Sequence, residues 1–350
     1  MQINKKQVLN SYLKHLMIWM SVLSTTTLYA QTADEFYQKA MKYKANDNYT
    51  EAGRHLEKAI AANPLNESYE HELADIQYYR RAYYLAIPMY EKMLAQDEDN
   101  IIYLTRLAEM YSMSAQKMKG VAYADKVMKK KPSDAEILMK LARTYSEVEH
   151  YKKAVDIYEA AYKLNPNDKE LPSRIGDCYK RMNNYRAAVG YYKKAFDLDP
   201  SSSQKSYDAA VVCYNANQFS DAVNLFQVAE KNGYNVSKSF YQNYANAYWS
   251  MKDYDNSIAM YKKAIELAPF DKNLNLDFAD TYIDAQRYKQ SRDLLDELLA
   301  QYPDDPEVLY TMGMSYYKEG NTGKAERYFE KAFKIDPSLK ALRYQKMTFQ

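Results

Sequence analysis

Apolar residues recur along this chain with the rhythm of paired amphipathic helices. Leu138, Leu141, Ala142 and Tyr145 fall at i, i+3, i+4 and i+7, which is one face of a helix. After the polar pair Glu149 and His150, the residues Tyr151, Ala154, Val155, Tyr158, Ala161 and Tyr162 repeat that rhythm on a second helix. Pro166 cannot continue it and marks the turn into the next unit. YKKAVDIYEAAYKLNPND at 151–168 becomes YRAAVGYYKKAFDLDPSS at 185–202, an interval of 34 residues. Blocks of that length begin at Ala33, Glu67, Ile101, Ala135, Lys169 and Ser203. After one inserted residue at 232–237 they resume at Lys238, Lys272 and Pro306 and reach Leu339. A fixed period in this range predicts stacked repeats. Each helical hairpin leaves apolar surface uncovered until its neighbour packs on it, so the fold expected is an all-α solenoid of about nine helix-turn-helix units. A short tail, 340–350, is expected to cap it only partly and to leave the C-terminal edge open to a partner or a second copy.

Composition narrows this further. Eight glycines in 350 residues argue against a glycine-rich cofactor loop and against a turn-dense β fold. Tyrosine is abundant, and 17 of the 38 fall at three fixed positions of the block, where they are expected to be core. Residues 1–30 form a basic start, an apolar run at 16–23 and a small residue, Ala30, the layout of a secretory signal cleaved near that alanine. The apolar run is shorter than the roughly 20 residues that span a bilayer, so no transmembrane segment is expected after cleavage. Its Ala-Gln end resembles signals of Gram-negative Bacteroidota, and the mature chain is expected in the periplasm. Three of the 48 basic residues, Lys5, Lys6 and Lys14, lie in the signal, which leaves the remainder close to neutral against 46 acids. Near-neutrality removes nucleic acid as an expected partner. Cys178 and Cys213 are expected to be small buried thiols, because packed helix axes sit about 8–10 Å apart and a bridge needs closer α-carbons.

The last block carries Leu309, Met312-Gly313, Tyr316, Ala325, Phe329, Ala332 and Pro337. The fifth carries Ile175-Gly176, Tyr179, Ala188, Tyr192, Ala195 and Pro200, and the fourth follows suit. This pattern resembles the tetratricopeptide-repeat family. The resemblance implies a right-handed superhelix whose first helices line a concave groove that binds a peptide or protein. It also locates the groove-facing positions of each block. These hold Tyr78 and Tyr79, a basic column of Arg106, Lys140 and Arg174 broadened by Arg143 and Arg181, then Tyr214, and finally Asn243, Asn246 and Trp249. Asp277, Asp280 and Asp284 follow as an acidic end. The family's carboxylate clamp does not match here in residue order.

The column could hold an acidic segment, or be neutralised by neighbours such as Glu109 and Asp177. Trp249, one and two turns after Asn246 and Gln242, suits an extended peptide, with amides for its backbone and an indole for a side chain. Catalytic motifs are lacking. His71-Glu72 has no second histidine at the zinc-protease spacing, and 320–324 misses the phosphate-loop pattern. No enzyme activity, cofactor or metal is expected. The reading is a non-catalytic scaffold for cell-envelope assembly or secretion. Its alternatives are a glycan-binding envelope protein using groove aromatics and a regulatory subunit of an envelope enzyme. The second and third blocks are expected to be the softest. Gln77 replaces the usual tyrosine, and Gly120 should cost about 1 kcal/mol against alanine in mid-helix.

Overall fold

The computed structural model describes residues 32–341. The expected signal at 1–30 and most of the C-terminal tail lie outside them. Every regular element among the described residues is a helix, and the helices form antiparallel pairs in two compact units divided after Pro166. In the first unit these are α1 (32–45), α2 (Tyr49–Ala62), α3 (Glu67–Tyr79), α4 (Tyr83–Gln96), α5 (Ile101–Ser112), α6 (Lys117–Lys129), α7 (Ala135–Glu147) and α8 (Tyr151–Leu164). The second unit holds α9 (Leu171–Arg181), α10 (Tyr185–Leu198), α11 (Ser203–Asn215), α12 (Phe219–Lys231) and α13 (Lys238–Ser250). It continues with α14 (Tyr254–Leu267), α15 (Lys272–Asp284), α16 (Tyr288–Gln301), α17 (Pro306–Lys318) and α18 (Thr322–Ile335). These helix hairpins are the all-α repeat architecture expected from the periodicity, of the kind the tetratricopeptide resemblance implies.

Most first helices start on an Asx or Ser cap that follows the closing turn of the preceding block. Asp134 accepts from the backbone N–H of Ile137 at 2.9 Å, and Asp271 from that of Leu274 at 3.0 Å. Each such cap satisfies a donor that the helix itself cannot, which is worth about 1 kcal/mol. The turn inside eight of the nine hairpins of the described residues is equally regular. Asp47, Arg81, Glu149, Asn183, Asn217, Lys252, Gln286 and Gly320 all have positive φ. The next residue then reaches back over the helix end, as when His150 N–H donates to Tyr145 O at 2.9 Å and Asn321 N–H to Tyr316 O at 2.8 Å. This is the Schellman closure, which normally favours glycine. The third hairpin closes differently: Ser114 Oγ accepts from Gln116 N–H at 3.0 Å, and no residue of that turn has positive φ.

A left-handed backbone costs an L-residue about 1–2 kcal/mol, while glycine loses roughly 0.5–1 kcal/mol more in chain entropy. Relief of strain should win. Glu149→Gly and Lys252→Gly, with φ of 64° and 62°, are each expected to stabilise their unit by about 0.5 kcal/mol. The measurement is the urea midpoint at unchanged slope, and a lower midpoint in both variants would reject the strain argument.

Within each unit the core lies between the two helices of each pair and between successive pairs. Ala142, Ala154 and Ala161 are fully buried and let the backbones approach, while Tyr145 and Tyr158 fill the space around them. Several core tyrosines are tied to a carboxylate at the edge of the core. Tyr145 Oη donates to Asp125 at 2.6 Å, Tyr111 to Glu91 at 2.6 Å and Tyr192 to Asp177 at 2.6 Å. Burial, then the Asp125 carboxylate, pushes the Tyr145 hydroxyl up to about 12, so it remains a donor. Phenylalanine would fill the volume but lack the hydroxyl that reaches these carboxylates at the edge of the core. Cys178 and Cys213 are both buried and form no disulfide, and burial pushes the Cys213 thiol up to about 11.

Candidate functional site

The first unit draws inward two residues that the repeat pattern assigns to an open surface. Arg106 on α5 pairs with Asp75 on α3 and also donates to the Tyr90 hydroxyl on α4. Its guanidinium lies 5.1, 5.4 and 5.9 Å from the ring centroids of Tyr78, Tyr90 and Tyr79. Tyr78 is buried, and its hydroxyl donates to Glu109. Both expectations are therefore corrected: Arg106 is not a free cation, and Tyr78 is not a platform for a sugar or peptide. The cause is a carboxylate one repeat away from each, Asp75 below and Glu109 above. Tyr79 alone of this group is half exposed, with its ring stacked on Tyr49 at 5.5 Å.

Lys140 pairs with Glu136 at 2.8 Å on its own helix, and Arg143 sits 3.6 Å from Glu109 and 3.9 Å from Glu147. In the second unit Arg174 and Arg181 are exposed on α9 with no carboxylate partner among the described residues. Asp177, a neighbour that could have neutralised Arg174, is taken by Lys180 at 2.9 Å. Members of the basic column thus have unlike surroundings. Three are engaged, and two are open.

A cleft of about 490 Å³ lies within the second unit. Trp249 and Asn246 reach it from α13, Tyr214 from α11, Asp277, Asp280 and Asp284 from α15, and Lys318 from α17. Asn243, on the same turn of α13 as Asn246, does not line it. The cleft exists because these residues share one face of consecutive first helices, at the sixth, ninth, twelfth and thirteenth positions of the block. Trp249 remains 44% exposed, yet its indole Nε1 donates to Asp284 Oδ2 at 2.8 Å. That bond fixes the ring plane while leaving a face open. Asn246 Oδ1 accepts from the buried Tyr261 hydroxyl at 2.5 Å, which sets the amide's direction. Gln242 Nε2 donates to Asp277 Oδ2 at 2.9 Å.

Three carboxylates face one ammonium in this cleft, so its lining is acidic. Loss of hydrating water to the cleft walls raises the Asp277 carboxyl above its usual range, though much of the residue's surface stays open. Gln242 opposes that shift, and the Asp271 charge adds to it. Asp284 and Trp249 stand at the thirteenth and twelfth positions of adjacent blocks, where the repeat pattern locates them. Lys318, also at a thirteenth position, could have been found by the same count. Tyr261, Thr281, Ile283 and Met314 form the floor and have no signal separating them from ordinary core.

Among the described residues no helix is long and apolar enough to cross a membrane. Models of the tetratricopeptide repeat match residues 207–272, 248–313 and 306–339, and a model of the psidin N-terminal TPR repeats region matches 77–207. No curated protein matches the sequence. Among solved structures, the C-terminal part of a TPR repeat-containing protein from Cytophaga hutchinsonii is similar at 15% identity with a TM-score of 0.52. That match covers 76% of this chain and 95% of the other. A tetratricopeptide repeat protein from Parabacteroides merdae is similar at 15% identity and a TM-score of 0.50, covering 72% of this chain and 99% of that one. At such identities the likeness is one of fold.

Proposed function

We propose that this chain, a member of the tetratricopeptide-repeat family, is a non-catalytic scaffold that holds an extended segment of a protein partner in the cleft of its second unit. The observation that carries this reading is Trp249, an indole locked by Asp284 at 2.8 Å yet still 44% exposed inside a peptide-sized cleft. An aromatic side chain fixed before its guest arrives loses little freedom on binding, so more of the contact energy remains as affinity. Asn246 and Lys318 offer polar contacts to a peptide backbone. The carboxylates of Asp277, Asp280 and Asp284 favour a segment with lysine or arginine, whose cation can lie over the indole face. We place this activity in the periplasm, in envelope assembly or secretion, on the strength of the three-part segment at 1–30.

The test is a peptide array probed with the wild-type chain and with Trp249→Ala, followed by calorimetry on the sequences retained. A central aromatic anchor is worth about 2 kcal/mol or more, so Trp249→Ala is expected to weaken binding at least tenfold, with Trp249→Phe between the two. Lysine- or arginine-bearing sequences should dominate the array, and the retained sequences should map to envelope proteins. Equal binding by wild type and Trp249→Ala would remove the cleft from the mechanism, and hits confined to cytoplasmic proteins would overturn the location.

A further inference from the structure

One ring contact recurs inside the hairpins. In the third, fifth and ninth blocks a tyrosine of the first helix lies flat against a tyrosine of the second. These pairs are Tyr111 with Tyr123, Tyr179 with Tyr191 and Tyr316 with Tyr328, with centroids 5.8, 5.6 and 5.6 Å apart and planes at 18°, 18° and 16°. The first block builds the same stack with a histidine. Tyr43 of α1 faces His55 of α2 at 5.3 Å and 15°, and Phe36 of α1 closes a second side at 6.1 Å. His55 is buried, and its Nδ1 has no hydrogen-bond partner among the described residues. In the other three blocks a lysine one turn on lies over the second ring, at 5.6 Å for Lys126, 5.0 Å for Lys194 and 5.8 Å for Lys331. Lys58 is their counterpart, and it lies over Phe36 at 5.6 Å instead.

A neutral imidazole suits this place, because with its proton on Nε2 it buries only a lone pair at Nδ1. An imidazolium does not. It would bring a charge and a second N–H to a site that offers Nδ1 no acceptor. Burial holds the His55 ring below its ordinary value of 6.5, Lys58 and Arg54 of α2 push the same way, Glu51 opposes them and Lys39 of α1 adds to them. Glu51 is itself paired with Arg54 at 2.5 Å. From α3 the core of this hairpin receives Tyr69, Leu73 and Ile76, and Tyr69 donates its hydroxyl to Asp34 at 2.6 Å, so α3 brings no charge to it. Among the described residues the α1–α2 pair has a neighbouring pair on one side only, so it can open without parting other hairpins. We propose that His55 is an acid-sensitive latch: neutral, it seals α1 against α2, and protonated, it lets this hairpin open while the helices beyond it stay folded. Above the ordinary value, closed and open hairpins both carry a neutral ring and the latch holds in full. Below it the open form takes up a proton that the closed form refuses, so acid favours opening.

The test is hydrogen exchange of the full chain at about pH 7.5 and about pH 5, with amide protection corrected for the pH dependence of the chemical rate. Protection in α1 and α2 is expected to fall about fivefold or more on acidification, since a proton excluded from the closed form shifts the balance by up to about tenfold per pH unit. α11 and α12 serve as the reference and should change by less than about twofold. His55→Tyr, which rebuilds the stack of the other three blocks, should keep its protection at both pH values. His55→Gln should do the same from a lower starting level, because neither replacement takes a proton in this range. In an NMR titration of the wild-type chain the His55 ring signals should give a midpoint below 6.5. A midpoint at or above that value overturns the proposal. So does unchanged protection of α1 and α2 in the wild type, a loss shared equally by α11 and α12, or a loss that persists in His55→Tyr and His55→Gln.

Discussion

Arg106→Ala is expected to destabilise the first unit by about 3 kcal/mol, more than any surface arginine of this chain. Only 15% of the Arg106 side chain meets solvent, against 28% for its partner Asp75. Truncation strands the Asp75 carboxylate, removes a donor from the Tyr90 hydroxyl and empties a space walled by three tyrosine rings. Removing one partner of a fully buried ion pair costs about 3–5 kcal/mol, and the residual exposure of Asp75 argues for the lower end of that range. Arg106→Lys should fall between, because an ammonium restores the charge but cannot serve the carboxylate and the hydroxyl with one planar fork. Urea unfolding followed by circular dichroism measures both. Arg181→Ala, with no partner to strand, is the control and should stay within about 0.5 kcal/mol of wild type. If Arg106→Ala behaves like that control, the side chain is a displayed cation after all.

The same residue shows where reading the chain by periodicity succeeds and where it fails. The helices follow from apolar spacing within a block, because burial acts on residues three and four apart. Trp249 and Asn246 reach one cleft for the same reason: they lie one turn apart on α13. The fate of a charge is decided elsewhere. Arg106, Lys140 and Arg174 occupy equivalent positions, yet the first is sequestered, the second is paired along its own helix and the third is open. Arg106 meets Asp75, 31 positions earlier on α3, whereas the acid at the same interval before Lys140, Glu109, is held by Arg143 and Tyr78 instead. Contacts between neighbouring blocks leave no mark in helical spacing, so a column of like charges in the sequence need not be a column in space. The hairpin turns were hidden for a different reason. Arg81, Glu149 and Lys252 hold the left-handed position usually given to glycine, because the backbone bonds of the closure outweigh a cost of about 1–2 kcal/mol at each site.

Gly120 inverts its expected meaning, and the consequence is measurable. Helix propensity alone says that Gly120→Ala should stabilise α6 by about 1 kcal/mol. In the structure a methyl group at Gly120 would stand 2.7 Å from Ala108 O and 2.8 Å from Ser112 N, both backbone atoms of α5. A side-chain tip could swing aside, but a helix backbone moves only as a whole. Separating α5 from α6 would also loosen Leu104, Leu107 and Val127, all fully buried between the helices and their neighbours. Overpacking of this kind costs about 1–3 kcal/mol, and here it should sit at the top of that range, leaving a net loss of about 2 kcal/mol after the gain in propensity. Gly190 on α10 supplies the opposite case, since nothing lies within 4 Å of its missing side chain. Gly190→Ala should therefore gain most of the propensity term, about 1 kcal/mol. Gly176→Ala and Gly313→Ala should lose stability as well, because the added carbon meets the buried rings of Tyr192 and Phe329 at 2.7 Å. Urea midpoints of the four variants decide the matter. The close α5–α6 approach requires Gly120→Ala to fall while Gly190→Ala rises, and two rises would mean that helix propensity, not contact between helices, sets the residue at position 120.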